Sequence, residues 1–156
     1  MFREMRLAAQ QLSQEETIAI LEKASNGTLA INGNGPYPYA VPISYAYHDG
    51  KIYFHGAAAG QKYDLLKADG HASLAVVTMD DVDPSIFTTR YRSAIVYGDV
   101  SIITDMAEIH KAMLPIIDKY CTGLREGGAK YIDASEGQFC VFVMDIKHMT
   151  GKRSEE

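Results

Sequence analysis

The stretch that most constrains the fold runs from residue 40 to residue 67, AVPISYAYHDGKIYFHGAAAGQKYDLLK. Between residues 40 and 47, larger apolar side chains alternate with small ones, which is typical of a half-buried strand. Asp49-Gly50 follows, and Asp-Gly between two alternating runs predicts a tight hairpin, because glycine adopts the positive φ that the turn requires. Residues 51–55 are therefore predicted to return antiparallel to the first strand.

The hairpin continues through small residues towards a predicted helix. Residues 56–60, GAAAG, allow the backbone to approach a ligand closely, and the helix is expected to begin near Gln61. Backbone N–H groups at a helix N-terminus lack partners and lie at the positive end of the helix dipole, so this position suits an anion. Lys62 adds a positive charge there. A tight connection with a solvated lysine explains the same pattern, which is neither a Walker loop nor a Rossmann fingerprint.

Composition limits the class of protein. A chain of 156 residues with 47% hydrophobic content suits one well-filled core, so we expect a single domain over residues 1–156. The net charge of −5 and the absence of a basic run argue against nucleic acid as a partner. No apolar run is long enough for a membrane span, and the first residues lack the apolar centre of a signal peptide, which predicts a cytoplasmic protein without membrane association. Cys121 and Cys140 lie far apart, and the five histidines show no ligand spacing, so neither a disulfide nor a metal site is predicted.

The remaining elements follow from local signals. Ser13 and Glu16 form a capping box that opens a helix with Ile18, Leu21 and Ala24 on its buried face. Asp105 starts a second helix to about residue 120, with a kink or restart at Pro115. Further strands are predicted at 28–31, 71–78, 90–104 and 138–147, with an acidic surface loop at 79–84, a loop or short helix at 122–137 and a polar tail after 147.

Gly98 is predicted to allow a bend or bulge in the long strand 90–104. The last strand, QFCVFVMDIK, is apolar on most of both faces, which is typical of a strand covered on both sides. About six strands, mostly joined by hairpins and accompanied by a few helices, predict a mainly antiparallel β protein, either a barrel or a strongly bent sheet.

Three ordered segments, VPISYAYHDGKIYFHGAAAGQK, TTRYRSAIVYGDV and IKHMTGK, resemble the FMN-binding split-barrel family. This family includes the pyridoxamine 5′-phosphate oxidases and, nearer to this pattern, the nitroimidazole-resistance flavoproteins. The resemblance spans roughly residues 12 to 152 and implies a six-stranded split β-barrel with flanking helices. It also implies a homodimer with FMN at the subunit interface and the FMN phosphate near the helix that follows the second hairpin strand.

The resemblance implies a set of cofactor contacts. Gln61 and Lys62 stand where the oxidases have an Arg-Lys pair on the phosphate. Ala40 stands where those enzymes have a cofactor-binding arginine, which is a departure from the pattern. The other implied contacts are the backbone of Pro42, Ile43 and Ser44, the strand end at His55 and Gly56, Ser93, and His148, Thr150 and Lys152 in the C-terminal segment.

His55 is the implied catalytic residue, since a histidine lies beside the flavin in the nitroimidazole-resistance branch. Without the resemblance, His55 is better interpreted as a core histidine. Tyr91 and Arg92 are candidate substrate contacts, although packing and surface charge explain them equally well. His48, His71 and His110 are interpreted as solvated or structural.

The resulting hypothesis is an FMN-dependent oxidoreductase that passes electrons from a reduced donor to a small oxidised acceptor, including nitroaromatics. Pyridoxamine 5′-phosphate oxidation is disfavoured, because the Arg- and Ser-rich segment that holds substrate phosphate in those enzymes has no counterpart after Gly98. Three alternatives stay open. They are a pyridoxamine 5′-phosphate oxidase-like protein with another substrate, a flavin-binding module without turnover, and a haem-binding protein with a histidine ligand.

Overall fold

The computed structural model describes residues 1–154, in which seven strands form one antiparallel sheet in the order β2-β1-β5-β6-β7-β4-β3. The strands are β1 (Gly27–Ile31), β2 (Tyr39–Ile43), β3 (Ala46–His48), β4 (Lys51–Ala57), β5 (His71–Asp83), β6 (Thr88–Ile103) and β7 (Phe139–Ser154). The helices are a 3₁₀ turn (Ala8–Gln10), α1 (Gln14–Lys23), α2 (Gln61–Ala68), α3 (Met106–Tyr120) and α4 (Arg125–Ala134). Residues 155 and 156 of the expected single domain lie outside the described residues.

The sheet curls because its two edge strands are almost continuous in sequence. Only Ser44 and Tyr45 separate β2 from β3, a link that spans at most about 11 Å. In a flat sheet, the edges of seven strands would lie roughly 29 Å apart. The edges therefore meet at this link, and no strand pairing joins β2 to β3 among residues 1–154. The mainly antiparallel, split-barrel prediction is confirmed, with seven strands rather than six.

The prediction of one strand over residues 40–47 is wrong, because Tyr45 leaves the ladder. Its side chain is fully buried, and its hydroxyl donates to the carbonyl oxygen of Leu21 at 2.7 Å. Its backbone N–H donates to the hydroxyl of Tyr120 at 3.0 Å, so a side chain takes the place of a neighbouring strand. The chain consequently changes from one edge of the sheet to the other at this residue.

Two hydrophobic clusters lie on the two faces of the sheet. The barrel interior contains Phe54, Phe142 and Met144, together with Leu21 from α1. The second cluster lies outside the barrel, where α3 packs against β3, β4 and β7. Alternate residues of β7 belong to different clusters, with Phe142 inside the barrel and Val141 facing α3. This confirms that the strand is covered on both faces and explains its continuous apolar sequence.

Two regions assigned to loop or tail are strands. β5 continues to Asp83, and the ribbon that it forms with β6 carries ion pairs from Arg90 to Asp81 (3.5 Å) and Asp83 (3.0 Å). β7 continues to Ser154, which pairs with Tyr91 of β6. The prediction of a polar tail after residue 147 is therefore wrong for residues 148–154, because the polar side chains of this segment belong to a backbone that continues the ladder with β6.

The local signals at turns and helix ends are confirmed. Ser13 and Glu16 form both bonds of the capping box, at 3.1 and 3.0 Å, and Asp49-Gly50 makes the hairpin turn with φ values of 46° and 77°. The buried face of α1 consists of Thr17, Ile20 and Leu21 rather than Ile18. α3 continues through Pro115 without a restart, and the segment 122–137 contains α4.

Candidate flavin site

The start of α2 presents an uncompensated positive charge. Gly60 is the N-cap residue with φ of 102°, a conformation that favours glycine, and no side chain within residues 1–154 caps the helix. Lys62 Nζ lies 5.8 Å from the centroid of the Phe142 ring, and no carboxylate of the described chain lies within 4.0 Å of it. A Cβ atom at Gly56 would lie 3.1 Å from this Nζ, so glycine there leaves room for the lysine. These residues fit an anionic group such as a phosphate.

His55 lies beside this cation at the end of β4. It pairs with Val141 of β7, and its ring meets the Phe139 ring edge-on, with centroids 6.3 Å apart. The side chain is exposed, yet the surrounding protein lowers the pKa of His55, mainly by desolvation and further by the positive charge of Lys62. The imidazole is therefore neutral at pH 7, with one N–H to donate and one nitrogen to accept.

Two clefts flank this region. The first has a volume of about 360 Å³ and is lined by residues of β4, α4, the link between α4 and β7, and the first residue of β7: His55, Gly56, Ala57, Tyr131, Ser135, Gln138 and Phe139. The second, of about 560 Å³, lies where the loop before β2 faces the start of α2, and Gln61 lines it together with Gly60. His55 lines the first cleft and Gln61 lines the second, and only residues 58–60 separate β4 from α2 in the chain.

The β2–β3 crossing lies close to His55. Ala46, the first residue of β3 after the crossing, pairs with Tyr53, two residues before His55 in β4, and the β3–β4 pairing ends there. Pro42 and Ser44 are exposed, whereas Ile43 is buried in the barrel core. A ligand at this segment could therefore contact Ile43 only through its backbone.

The remaining predicted contacts form a separate group on the outer face of β6 and β7. Ser93 pairs with Lys152, and His148 pairs with Tyr97, while Thr150 lies between them on β7. His148 is stacked on Phe2, with ring centroids 4.5 Å apart. Val141, the partner of His55, precedes His148 by seven residues, or roughly 23 Å of strand. Within one chain, this group does not join the site at His55 and Lys62.

The candidate substrate contacts Tyr91 and Arg92 also lie away from His55. The Tyr91 hydroxyl contacts the side chain of Gln10 at 3.3 Å, and Arg92 lines a small cleft with Glu16 and Thr78. The wall that does face His55 is formed by Tyr131 of α4 and by Ser135, the C-cap residue of this helix. The pattern of residues 122–137, which predicts only a loop or short helix, does not point to this wall, although Tyr131 and Ser135 have the i, i+4 spacing of neighbours on one helix face.

Comparison with known proteins gives the family. The model of the pyridoxamine 5′-phosphate oxidase family matches residues 13–153, nearly the whole of the described fold. The chain belongs to this family. No curated protein sequence matches it. No helix within residues 1–154 combines the length and apolarity needed to cross a membrane.

Several solved structures share the fold. A candidate 5-nitroimidazole antibiotic resistance protein from Bacteroides thetaiotaomicron is 20% identical, with a TM-score of 0.79 over 94% of this chain and 90% of that one. A flavocytochrome from Azotobacter vinelandii is 22% identical, with a TM-score of 0.81 over 98% and 73%. An FAD-binding protein from Mesorhizobium loti is 23% identical, with a TM-score of 0.67 over 94% and 98%. At these identities the likeness concerns the fold alone, and a fold by itself does not determine function.

Proposed function

We propose that the protein is an FMN-dependent oxidoreductase that reduces small nitroaromatic or related acceptors. The observation that carries the proposal is the uncompensated Lys62 cation at the uncapped start of α2, beside a neutral imidazole at His55. The first group suits a phosphate, and the second suits a hydrogen bond to a reacting molecule. Family membership and the nitroimidazole-resistance neighbour support the same assignment, and the FAD-binding neighbour supports a flavin cofactor without favouring FMN.

Each part of the site has a role in holding the cofactor. Lys62, Gln61 and the first N–H groups of α2 would bind the phosphate, while the backbone of residues 42–44 and Gly56 would line the edge of the ring system. FMN, when bound, supplies two-electron chemistry that no side chain of this protein provides. In the net reaction, a reduced nicotinamide gives two electrons and one proton as hydride and solvent gives a second proton. The nitro group then becomes a nitroso group and releases water.

His55 would act on the acceptor. Its neutral imidazole can donate its N–H to an acceptor oxygen, and its protonated form, which increases as the pH falls, can deliver a proton. Because desolvation and Lys62 both lower the pKa of His55, delivery of this proton is favoured below pH 6.5 rather than at neutral pH. An anion bound at Lys62 would offset the second of these effects and raise the pKa.

We further propose that the site is completed by a second subunit. Ser93, His148, Thr150 and Lys152 lie on the outer face of β6 and β7, remote from His55 in the same chain. A two-fold dimer through this face would bring them to the partner's cofactor. The family resemblance implies that these four residues contact the cofactor, and a dimer would explain how they can do so although they are remote from His55 in their own chain.

Lys62→Ala tests the cofactor assignment. Loss of a charge-assisted contact should reduce the affinity for FMN by about tenfold or more, equivalent to ~1.5–3 kcal/mol. Lys67→Ala is the matched control, because Lys67 lies in the same helix and is also a lysine over an aromatic ring, that of Tyr63. Affinity is measured by titrating flavin-free protein with FMN and following flavin fluorescence.

The visible spectrum of the purified protein decides between cofactors. Flavin absorption, together with identification by mass spectrometry of FMN released from the protein, supports the proposal. Release of FAD instead would show that the cofactor is FAD, and a Soret band would favour a haem protein. Unchanged FMN affinity in Lys62→Ala would show that the phosphate lies elsewhere. Anaerobic titration with NADH and NADPH, followed by addition of a nitroaromatic, then tests turnover. A flavin that is never reduced or reoxidised would favour a binding module.

A further inference from the structure

The cleft beside His55 has a wall that the proposed cofactor contacts do not use. This wall is α4, which is anchored to α3 by two polar contacts. His110 Nε2 lies 2.7 Å from Asp133 Oδ1, and the Arg125 guanidinium donates to both carboxylate oxygens of Asp118 at 2.9 and 2.6 Å. Ile132 is buried in the cluster with α3. These contacts lie at both ends of α4 and hold it against α3, which in turn packs against β4 and β7.

Tyr131 of α4 and Ser135, the C-cap residue of this helix, line the cleft, and the protein core does not account for the position of Tyr131. Tyr131 lines the cleft with 74% of its surface exposed, although its neighbour Ile132 is buried. Ser135, one turn further along, lines the same cleft. An exposed tyrosine that lines a concave surface offers a large rigid ring together with a hydroxyl, which suits contact with a ligand.

The chemistry of the lining restricts the ligand. Tyr131 and Phe139 supply aromatic surface, Ser135 and Gln138 supply neutral hydrogen-bonding groups, and His55 is neutral at pH 7. No residue that lines the cleft carries a fixed formal charge. Hydroxyl and amide groups can donate hydrogen bonds to oxygens such as those of a nitro group. The volume of about 360 Å³ is at the lower end of the range for small-molecule sites.

We propose that this cleft is the acceptor subsite, that it binds a neutral planar aromatic or heteroaromatic molecule, and that Tyr131 is its specificity-determining residue. The inference rests on the proposed function, since it identifies the acceptor for the same site. Tyr131 contacts the acceptor ring, while Ser135 and Gln138 orient its polar substituents towards His55. The subsite belongs to the chain's own α4, which distinguishes it from the cofactor contacts at α2.

Binding is measured directly, without turnover. The oxidised full-length protein, as purified, is titrated with 2-methyl-5-nitroimidazole by isothermal calorimetry in the absence of any reductant. Tyr131→Ala should raise the Kd of this probe by about tenfold, since aromatic pairs contribute beyond their buried area, and Tyr131→Phe should stay within about twofold. Lys130→Ala is the matched control, because Lys130 is the exposed neighbour on α4 and pairs with Glu126 at 3.5 Å, away from the cleft.

The outcomes separate the subsite from the proposed function. If the probe binds with a Kd that depends on Tyr131 but the protein does not reduce it, the subsite stands and the reductase function fails. If the protein reduces the probe and the KM is the same in Tyr131→Ala and the parent, the function stands and the subsite is overturned. A Kd unchanged in Tyr131→Ala also overturns the subsite, as does an equal loss of binding in Lys130→Ala. Circular dichroism of each variant verifies that α4 remains folded.

Discussion

At the scale of single residues, Lys62 and His55 form an electrostatic pair. The pKa of His55 is lowered first by desolvation and second by the charge of Lys62, so removal of that charge should raise it without fully restoring the value near 6.5. We expect Lys62→Met to shift the NMR titration midpoint of His55 upwards. Inorganic phosphate added to the parent protein should shift it in the same direction, because a bound anion offsets the lysine.

A midpoint for His55 that is equal in Lys62→Met and the parent would mean that the two side chains do not interact. Lys67→Met controls for a general change in charge, since both substitutions remove one positive charge from α2. A phosphate shift that persists in Lys62→Met would place the anion somewhere other than at the start of this helix.

The chemical role of His55 has its own pH signature. If the protonated imidazole delivers a proton, reoxidation of the reduced protein by a nitroaromatic should accelerate as the pH falls through the lowered pKa of His55. His55→Gln should retain FMN within a few fold, lose this pH dependence and react about 10²-fold more slowly. Stopped-flow measurements from pH 5 to 8 provide the comparison. Equal rates in variant and parent would leave His55 as a packing residue, and loss of FMN binding alone would make it a cofactor ligand.

The pKa of a second histidine, His71, is shifted upwards, in the opposite direction to that of His55. His71 Nδ1 lies 2.6 Å from Asp69 Oδ1, and this contact raises the pKa of His71 while hydrogen bonds, the largest from the His71 backbone, lower the pKa of Asp69 to about 2. The histidine therefore stabilises the fold below pH 6.5, and this contribution disappears as the pH rises through its higher folded pKa. The aspartate stabilises the fold above its ordinary pKa near 3.9, and its contribution disappears as the pH falls towards 2.

Asp69→Asn should return the pKa of His71 towards 6.5. The difference in unfolding free energy between parent and variant should then shrink between pH 6 and 8, as measured by urea denaturation across pH. Asn32→Ala is the control, because Asn32 donates to the other carboxylate oxygen of Asp69 at 2.9 Å without contacting the imidazole. A His71 midpoint that does not move in Asp69→Asn would contradict the pairing.

At the scale of elements, the bulge at Gly98 depends on a close approach of two strands. Tyr97 pairs with His148 and Gly98 pairs with Ile146, so the additional residue is Lys147 on β7 rather than a residue of β6. A Cβ atom at Gly98 would collide with the carbonyl oxygen of Asp145 and lie 2.5 Å from Met144 Cγ. The sequence predicted a bend or bulge at Gly98 but not which strand carries the additional residue, since that depends on the pairing register.

Gly98→Ala should destabilise the protein by about 1–3 kcal/mol, because the methyl group forces the backbone of β7 to move. Gly127→Ala is the matched control: Gly127 lies within α4, and a Cβ atom there would meet nothing within 4 Å. That substitution should instead stabilise the protein by roughly 0.5–1 kcal/mol, through helix propensity and the entropy of the unfolded chain. Urea denaturation of both variants gives the sign of the change in unfolding free energy for each. An unchanged unfolding free energy in Gly98→Ala would contradict the steric argument.

The sequence predicted elements well where the signal is local. The capping box at Ser13, the cap at Asp105 and the turn at Asp49-Gly50 each depend on residues within four positions, and all three are confirmed. It failed where the decisive partner is distant in sequence. Tyr45 leaves the ladder because it bonds to Tyr120, 75 residues away, and the alternation in residues 40–47 contains no trace of that contact.

The candidate site was predictable from the sequence only in part. Lys62, Gln61 and His55 lie on one contiguous segment, so a hairpin followed by a helix is enough to bring them together. The cleft wall at Tyr131 required the docking of α4 on α3, which depends on contacts such as His110–Asp133 between distant residues. The position of His148 relative to His55 depended on the strand register, which sequence patterns do not specify across the whole sheet.

At the scale of the whole molecule, the outer face of β5, β6 and β7 is more apolar than a solvated sheet face usually is. Val77 and Ile95 are exposed by 57% and 42%, and Tyr97 lies on the same face two residues after Ile95. Ser93, Thr150 and Lys152 lie among them, which are the residues that one chain leaves remote from His55. This exposed apolar surface lies beside candidate cofactor contacts that one chain does not bring to His55. The combination favours a second copy of the chain as the partner that covers this face.

We therefore expect an obligate homodimer, which Ile95→Asp should disrupt. A carboxylate in the centre of the interface would be desolvated without a partner, so light scattering at micromolar concentration should change from dimer to monomer. FMN affinity should fall with it, although Ile95 lies remote from the Lys62 site of its own chain. Leu124→Asp is the control, because Leu124 is also an exposed apolar residue but lies in the link between α3 and α4 and not on β5, β6 or β7. A parent protein that is monomeric with flavin bound would mean that a single chain completes the site, and Ser93, His148, Thr150 and Lys152 would then lose their proposed role.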